Sequence, residues 1–142
     1  MAVSIRDALA DDADAVAALL TQLGYPTDPA AVAERLRRLQ EVGDEVVVAE
    51  LDGRVAGLAQ LHVSPALEHD GEAAKLSALV VDETHRGEGV GRALVEEMEA
   101  RAQARRCVLL FLTTAEHREG AHAFYRRMGL EHTGRRFAKR LD

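Results

Sequence analysis

Three glycines stand at alternate positions, 87, 89 and 91, directly behind Arg86. An apolar run, Leu79-Val80-Val81, leads into them and a helix-forming stretch, Gly89–Ala104, leads out. Without Cβ atoms, Gly87, Gly89 and Gly91 let the backbone approach a ligand closely. The amides of the turn and of the first helical turn have no carbonyl partner behind them and face outward as anion donors. Arg86 adds a fixed charge suited to phosphate. A pyrophosphate is the natural guest of such a segment; a glycine turn made only for tight packing is the plainer alternative. Two other phosphate patterns fail. A dinucleotide fingerprint needs glycine where Arg92 stands, and the Walker tripeptide Gly-Lys-Ser/Thr is absent, which weakens a nucleotide-binding reading.

Other reactive side chains are sparser. Histidines fall at 62, 69, 85, 117, 122 and 132 with no HExxH or similar ligand spacing, so no metal is expected. A single cysteine, Cys107, excludes an internal disulfide and a thiolate zinc site, and suits a reducing compartment. No base is identifiable beside it, so it reads as a small core residue rather than a nucleophile. Glu68, His69, Asp70 and Glu72 cluster in one stretch, and His62 precedes them on a strand pattern.

The elements that must position these groups follow from periodicity. Val3–Ala8 alternates as a short strand. Asp11, Asp12 and Asp14 open a helix with Val16, Leu19, Leu20 and Leu23 on one face and Gly24 at its end. Asp28-Pro29 starts a second, with Val32, Leu36 and Leu39 inward up to Gly43. Glu45–Leu51 and Arg54–Val63 flank Asp52-Gly53, a hairpin turn signal. Ser64–Gly71 reads as a loop, Ala73–Asp82 as a central strand, and Val108–Thr113 as an apolar strand. Glu119–Met128 reads as a helix stopped by Gly129, and Leu130–Arg135 and Phe137–Leu141 as closing strands. The expectation is an α/β (α+β) domain over 1–142: a mixed, mostly antiparallel sheet of six to seven strands flanked by about four helices.

The chain has 142 residues and a formal net charge of −6, unevenly spread. Residues 1–84 carry 6 basic and 16 acidic side chains; residues 85–142 carry 12 basic and 8 acidic. Sixteen Arg against two Lys suggests compositional bias as one source of the pattern. The negative total and five aromatics argue against general nucleic-acid binding. No run nears the ~18 apolar residues of a membrane span, and the N-terminus lacks the basic and apolar regions of a signal peptide. A cytoplasmic location is expected.

The run Leu79-Val-Val-Asp-Glu-Thr-His-Arg-Gly-Glu-Gly-Val-Gly91 resembles the acetyl-CoA-binding motif of GNAT-type N-acetyltransferases, Arg/Gln-x-x-Gly-x-Gly/Ala after a strand. Ala121-His-Ala-Phe-Tyr-Arg-Arg-Met-Gly-Leu130 is similar to that family's second motif, Ala-x-x-Phe-Tyr-x-x-x-Gly-Phe. Glu83 departs from a frequent Pro, and Arg118 from a frequent Asn that contacts the CoA arm. The resemblance implies the GNAT fold across nearly the whole chain. It implies acetyl-CoA as cosubstrate, without a metal, held by Leu79, Val80, Val81, Arg86, Gly87, Glu88, Gly89, Val90, Gly91, Arg92 and Phe124. It also implies direct attack of an amine on the thioester, without an acyl-enzyme. Three needs follow: a base for an amine whose pKa is ordinarily near ~10, fixed donors for the oxyanion, and an acid for the leaving thiolate.

By motif position, Val81 N–H is the oxyanion candidate and Tyr125 the acid; a phenol, ordinarily near ~10, stays protonated at neutral pH. Packing on a core helix face is the alternative for Tyr125. For the base, Glu72 ranks first and His62 second, with a water chain as the third possibility. His117 and His122 flank the cofactor-side helix and read as surface or cofactor-edge residues. The acidic first half points to a cationic small amine or a peptide as acceptor. A catalytically idle acyl-CoA-binding regulatory module on the same fold is the rival function. The alternating C-terminal run Arg135–Asp142, with apolar Phe137 and Leu141, suggests an edge paired in a homodimer; its Arg and Lys residues could instead protect a monomer's edge.

Overall fold

The computed structural model describes residues 2–113, 119–134 and 136–142. The sequence-stretch assignments at His117, Arg118 and Arg135 lie outside the described residues. The chain runs β1 (Val3–Asp7), a 3-10 turn (Ala10–Asp12), α1 (Ala13–Leu23), α2 (Pro29–Glu41), β2 (Glu45–Leu51) and β3 (Arg54–Pro65). It continues through β4 (Glu72–Val81), a 3-10 turn (Glu83–His85), α3 (Val90–Ala104), β5 (Cys107–Phe111) and α4 (Glu119–Arg127). Among the described residues one sheet forms in the order β1-β2-β3-β4-β5, antiparallel except for the parallel β4–β5 pair.

Local chemistry places the helix ends. Asp28 accepts the Ala30 N–H at 2.9 Å ahead of Pro29, whose fixed φ suits a first helical position. Both α1 and α2 close in Schellman turns on a left-handed glycine, Gly24 at φ 115° and Gly43 at φ 84°. In the first, Tyr25 N–H reaches Leu20 C=O; in the second, Asp44 N–H reaches Leu39 C=O, each at 2.9 Å. These turns fix where Tyr25 and Asp44 leave their helices. Asp52 and Gly53, both at positive φ, make the tight β2–β3 turn.

The sheet buries an apolar layer on each face. On one, Val47, Ala49, Leu61 and Leu76 meet Leu94, Val95 and Met98 of α3. On the other, Val48, Leu58 and Val80 meet Val16 and Leu19 of α1 and Val32 and Leu36 of α2. Gly57 lets α3 lie close: a Cβ there would stand 2.9 Å from both Leu94 Cδ1 and Val90 Cγ1.

Two expectations need correcting. The described sheet has five strands, not six or seven, because described residues in 130–141 form no strand. Alternation alone makes no strand; a segment needs a partner edge to bond its N–H and C=O groups. Strand β5 is also less buried than its apolar sequence suggested, with Val108 56% and Leu109 42% exposed.

Candidate active site

Strand β4 is ten residues long, but β5 pairs only its first part. The β4–β5 register ends at Lys75 opposite Phe111, so Leu76–Val81 run on without a β5 partner. The two strands diverge, and a groove of about 1160 Å³ opens between them, with Leu112 and Thr113 on its far wall. Backbone direction along the open edge can be read from one bond. Asp82 N–H donates to Ala56 C=O on the β3 side at 2.8 Å. Backbone groups alternate along a strand, so the N–H groups of Leu79 and Val81 face the groove.

At the end of β4, Asp82 turns the chain. Its carboxylate accepts from Thr84 N–H at 3.0 Å and Thr84 Oγ1 at 2.9 Å. The Thr84 backbone bond holds the Asp82 carboxyl below its ordinary value. Glu83 N–H donates to Gln22 Oε1 at 3.1 Å, which ties the turn to α1. Gly87 and Gly89 take left-handed conformations, φ 83° and 88°. The first α3 bond at this end is Ala93 N–H to Gly89 C=O at 3.1 Å. The amides of Val90, Gly91 and Arg92 therefore have no carbonyl behind them and form the positive end of the helix dipole. Gly91 sits against α4: a Cβ there would stand 3.2 Å from Phe124 Cζ and 3.5 Å from Val81 Cγ2. This is a cradle for an anionic group at one end of an open strand edge.

Of the residues expected from sequence, Leu79, Val80, Val81, Arg86, Gly87, Gly89, Gly91, Arg92, Phe124 and Tyr125 all line this groove. Phe124 and Tyr125 stack edge-on, with ring centroids 5.5 Å apart. Two others point elsewhere. The Val90 side chain is buried under α3, and Glu88 pairs with His85 at 2.9 Å; only the Val90 amide belongs to the cradle.

The two base candidates are not in the groove lining. Glu72 opens β4, opposite Pro65 and Cys107. Seven residues separate it from Leu79, roughly 23 Å at ~3.3 Å per residue. Its neighbour Cys107 stays a thiol: burial pushes its pKa up, and Glu72 adds to that against the pull of Arg105. His62 lies opposite Lys75 on β3, with Nδ1 2.6 Å from Asp44 Oδ1. Sequence reading missed Tyr25, Lys75 and Arg136, which do line the groove. The Tyr25-Pro26 break after Gly24 carried a signal for the first; the others had none, since strand divergence and chain return place them. Among the described residues no cluster of three His, Cys, Asp or Glu could hold a metal ion, and no helix is long and apolar enough to cross a membrane.

Residues 13–130 match the model of the acetyltransferase (GNAT) family. The chain belongs to the GNAT acetyltransferase family. It is 30% identical over 139 residues to an aminoalkylphosphonate N-acetyltransferase of Salmonella typhimurium, covering 96% of this chain and 90% of that one. It is 28% identical over 95 residues to a glucosamine 6-phosphate N-acetyltransferase of Trypanosoma brucei brucei, covering 66% and 63%. A solved glucosamine-6-phosphate N-acetyltransferase of Arabidopsis thaliana shares the fold at TM-score 0.85 and 21% identity, with full coverage of both chains. This GNAT protein is thus an acetyl-transferring enzyme of the acyltransferase class, and its family uses acetyl-CoA as cosubstrate.

Proposed function

We propose that this GNAT enzyme moves an acetyl group from acetyl-CoA to the primary amine of a small molecule that also carries an anionic group. The observation that carries the first half is the open edge of β4 running into the glycine cradle. Acetyl-CoA supplies a reactive thioester at one end of a long arm and a pyrophosphate at the other. The amides of Val90, Gly91 and Arg92, with Arg86, suit the pyrophosphate. Leu79 and Val81 offer backbone groups to the arm, and Val81 N–H lies where a developing oxyanion could be held. Tyr125, on the groove wall, supplies a proton to the departing sulfur.

The acceptor class is read from the groove rather than from net charge. The acidic first half suggested a cation, yet no Asp or Glu is among the described groove-lining residues; Lys75, Arg127 and Arg136 are. Lys75 stands on β4 beyond the acyl position, away from the cradle, where it can bind an anionic substituent. The names of the two relatives, for an aminoalkylphosphonate and for glucosamine 6-phosphate, agree with such an acceptor. The lone thiol fits the cytoplasm, and the exposed β5 edge fits a homodimer.

Thiol release from acetyl-CoA should be assayed with matched amines, 2-aminoethylphosphonate against spermidine. Faster turnover of the phosphonate, with a KM raised at least tenfold in Lys75→Ala, is expected. Preference for spermidine would overturn the anionic reading. Acetyl-CoA binding without thiol release from any amine would favour an idle acyl-CoA module.

A further inference from the structure

We infer that Asp44 is a positioning residue that holds His62 as the base for the acceptor amine. This rests on the acetyltransferase reading above and adds a residue to it.

The Asp44 side chain keeps only 4% of its surface in solvent. Its carboxylate accepts from Gln60 Nε2 at 2.9 Å through Oδ2 and contacts His62 Nδ1 at 2.6 Å through Oδ1. Its backbone is fixed by the Schellman turn of α2, through Asp44 N–H to Leu39 C=O at 2.9 Å. Burying a carboxylate is costly unless it is well paired, and an apolar residue would join β2 to β3 at lower cost. The pairing has a chemical consequence. A carboxylate only accepts, so the Nδ1 of His62 carries the proton and the neutral ring presents its lone pair at Nε2. The ring itself is not enclosed, with 43% of the side chain exposed.

The sheet register places this ring beside the acceptor end of the groove. His62 is the β3 partner of Lys75, and direct partners on a sheet share a face with Cα atoms about 5 Å apart. Lys75 lines the groove. An amine set between Lys75 and Leu79 is therefore one strand from His62, which stands three residues nearer to Leu79 along the sheet than Glu72 and acts on the amine through bridging water. The amine proton passes to His62 Nε2, and the freed electron pair attacks the acetyl carbon. As the tetrahedral intermediate collapses, the C–S bond pair leaves with sulfur, which Tyr125 protonates, and the second proton lost from nitrogen as the amide forms restores the phenol. Glu72, at the far start of β4, has no comparable access.

A fastening role for the β2–β3 hairpin predicts different behaviour, and His62→Asn separates the two. The Asn amide replaces the Nδ1–H donor to Asp44 but has no Nε2. With chemistry rate-limiting and 2-aminoethylphosphonate as acceptor, His62→Asn should fold and bind acetyl-CoA normally while kcat falls about 10²-fold. Asp44→Ala should lose a similar factor in kcat, and combining it with His62→Asn should cost nothing more. Side-chain 15N NMR on the neutral ring should show the Nδ1–H form in the wild type and a shift towards Nε2–H in Asp44→Ala. Unchanged kcat in folded His62→Asn, or an Nε2–H ring in the wild type, would overturn the assignment. A wild type with the Nδ1–H ring that acetylates no amine would instead sink the acetyltransferase reading, and the base role with it.

Discussion

Tyr125 and Gly89 give the sharpest tests at the residue scale. Tyr125 reaches the groove because α4 turns it beside Phe124, which packs on Gly91. As the proton donor to sulfur, Tyr125→Phe should lower kcat by about 10²–10⁴-fold, with acetyl-CoA affinity by calorimetry unchanged. A full rate where chemistry limits would return it to packing. Gly89 is different: nothing lies within 4 Å of its missing Cβ, so a side chain there meets no clash. Its cost is conformational, about 1–2 kcal/mol for an L-residue held left-handed, and relief would turn the α3 amides away from the cradle. Gly89→Val should stay folded and lose measurable acetyl-CoA binding; retained affinity in a folded variant would remove the cradle from the site.

Between elements, the decisive contact is α3 on β3. The cradle amides are the start of α3, so their position depends on how α3 lies on the sheet. Gly57 sets that distance, since a Cβ would press on Leu94, Val90 and, at 3.3 Å, Val80 O. Gly57→Ala should destabilise by about 1–3 kcal/mol through overpacking, read by denaturant unfolding. It should also weaken acetyl-CoA binding, because α3 must lift. A variant as stable and as tight as wild type would show that the interface yields without moving the cradle.

For the whole molecule, acid stability follows from named contacts. Asp12 accepts from both terminal nitrogens' arms of the Arg6 guanidinium region, Nη1 and Nη2, at 2.8 Å each, and from Leu9 N–H at 2.8 Å. The Arg6 hydrogen bonds hold the Asp12 carboxyl below its ordinary 3.8. A depressed folded value means this stabilisation is present above 3.8 and is lost as pH falls through the folded value. Asp12→Asn should lower Tm at pH 7 and flatten its decline below pH 4; an unchanged acid profile would deny the pair that role. The proposed homodimer would cover the exposed β5 residues Val108 and Leu109, or Phe137 and Leu141, each 93% exposed on the C-terminal run. Light scattering should give twice 15.4 kDa at micromolar concentration; a single-chain mass would overturn it.

The sequence by itself determined what depends on neighbours along the chain. The glycine turn, the Asp28-Pro29 and Gly24 helix ends, the Asp52-Gly53 hairpin and the Phe124-Tyr125 pair are local signals, and about half of the described groove lining follows from two short motifs. It could not say how the base candidates His62 and Glu72 lie relative to the groove, because that is a matter of strand register. Counted from the tight turn, Leu51 pairs with Arg54 and Glu50 with Val55, and an unbroken ladder would set Asp44 against Leu61. A one-residue irregularity between Ala49 and Glu50 shifts the pairing, so that Glu45 meets Leu61 and the Asp44 carboxylate, just before β2, reaches His62. A shift of one residue moves every side chain beyond it to the other face. The divergence of β4 from β5 beyond Lys75 is equally invisible to composition and periodicity. Tertiary packing alone decided the open edge, the convergence of Lys75, Arg127 and Arg136 on the groove, and the carboxylate behind His62.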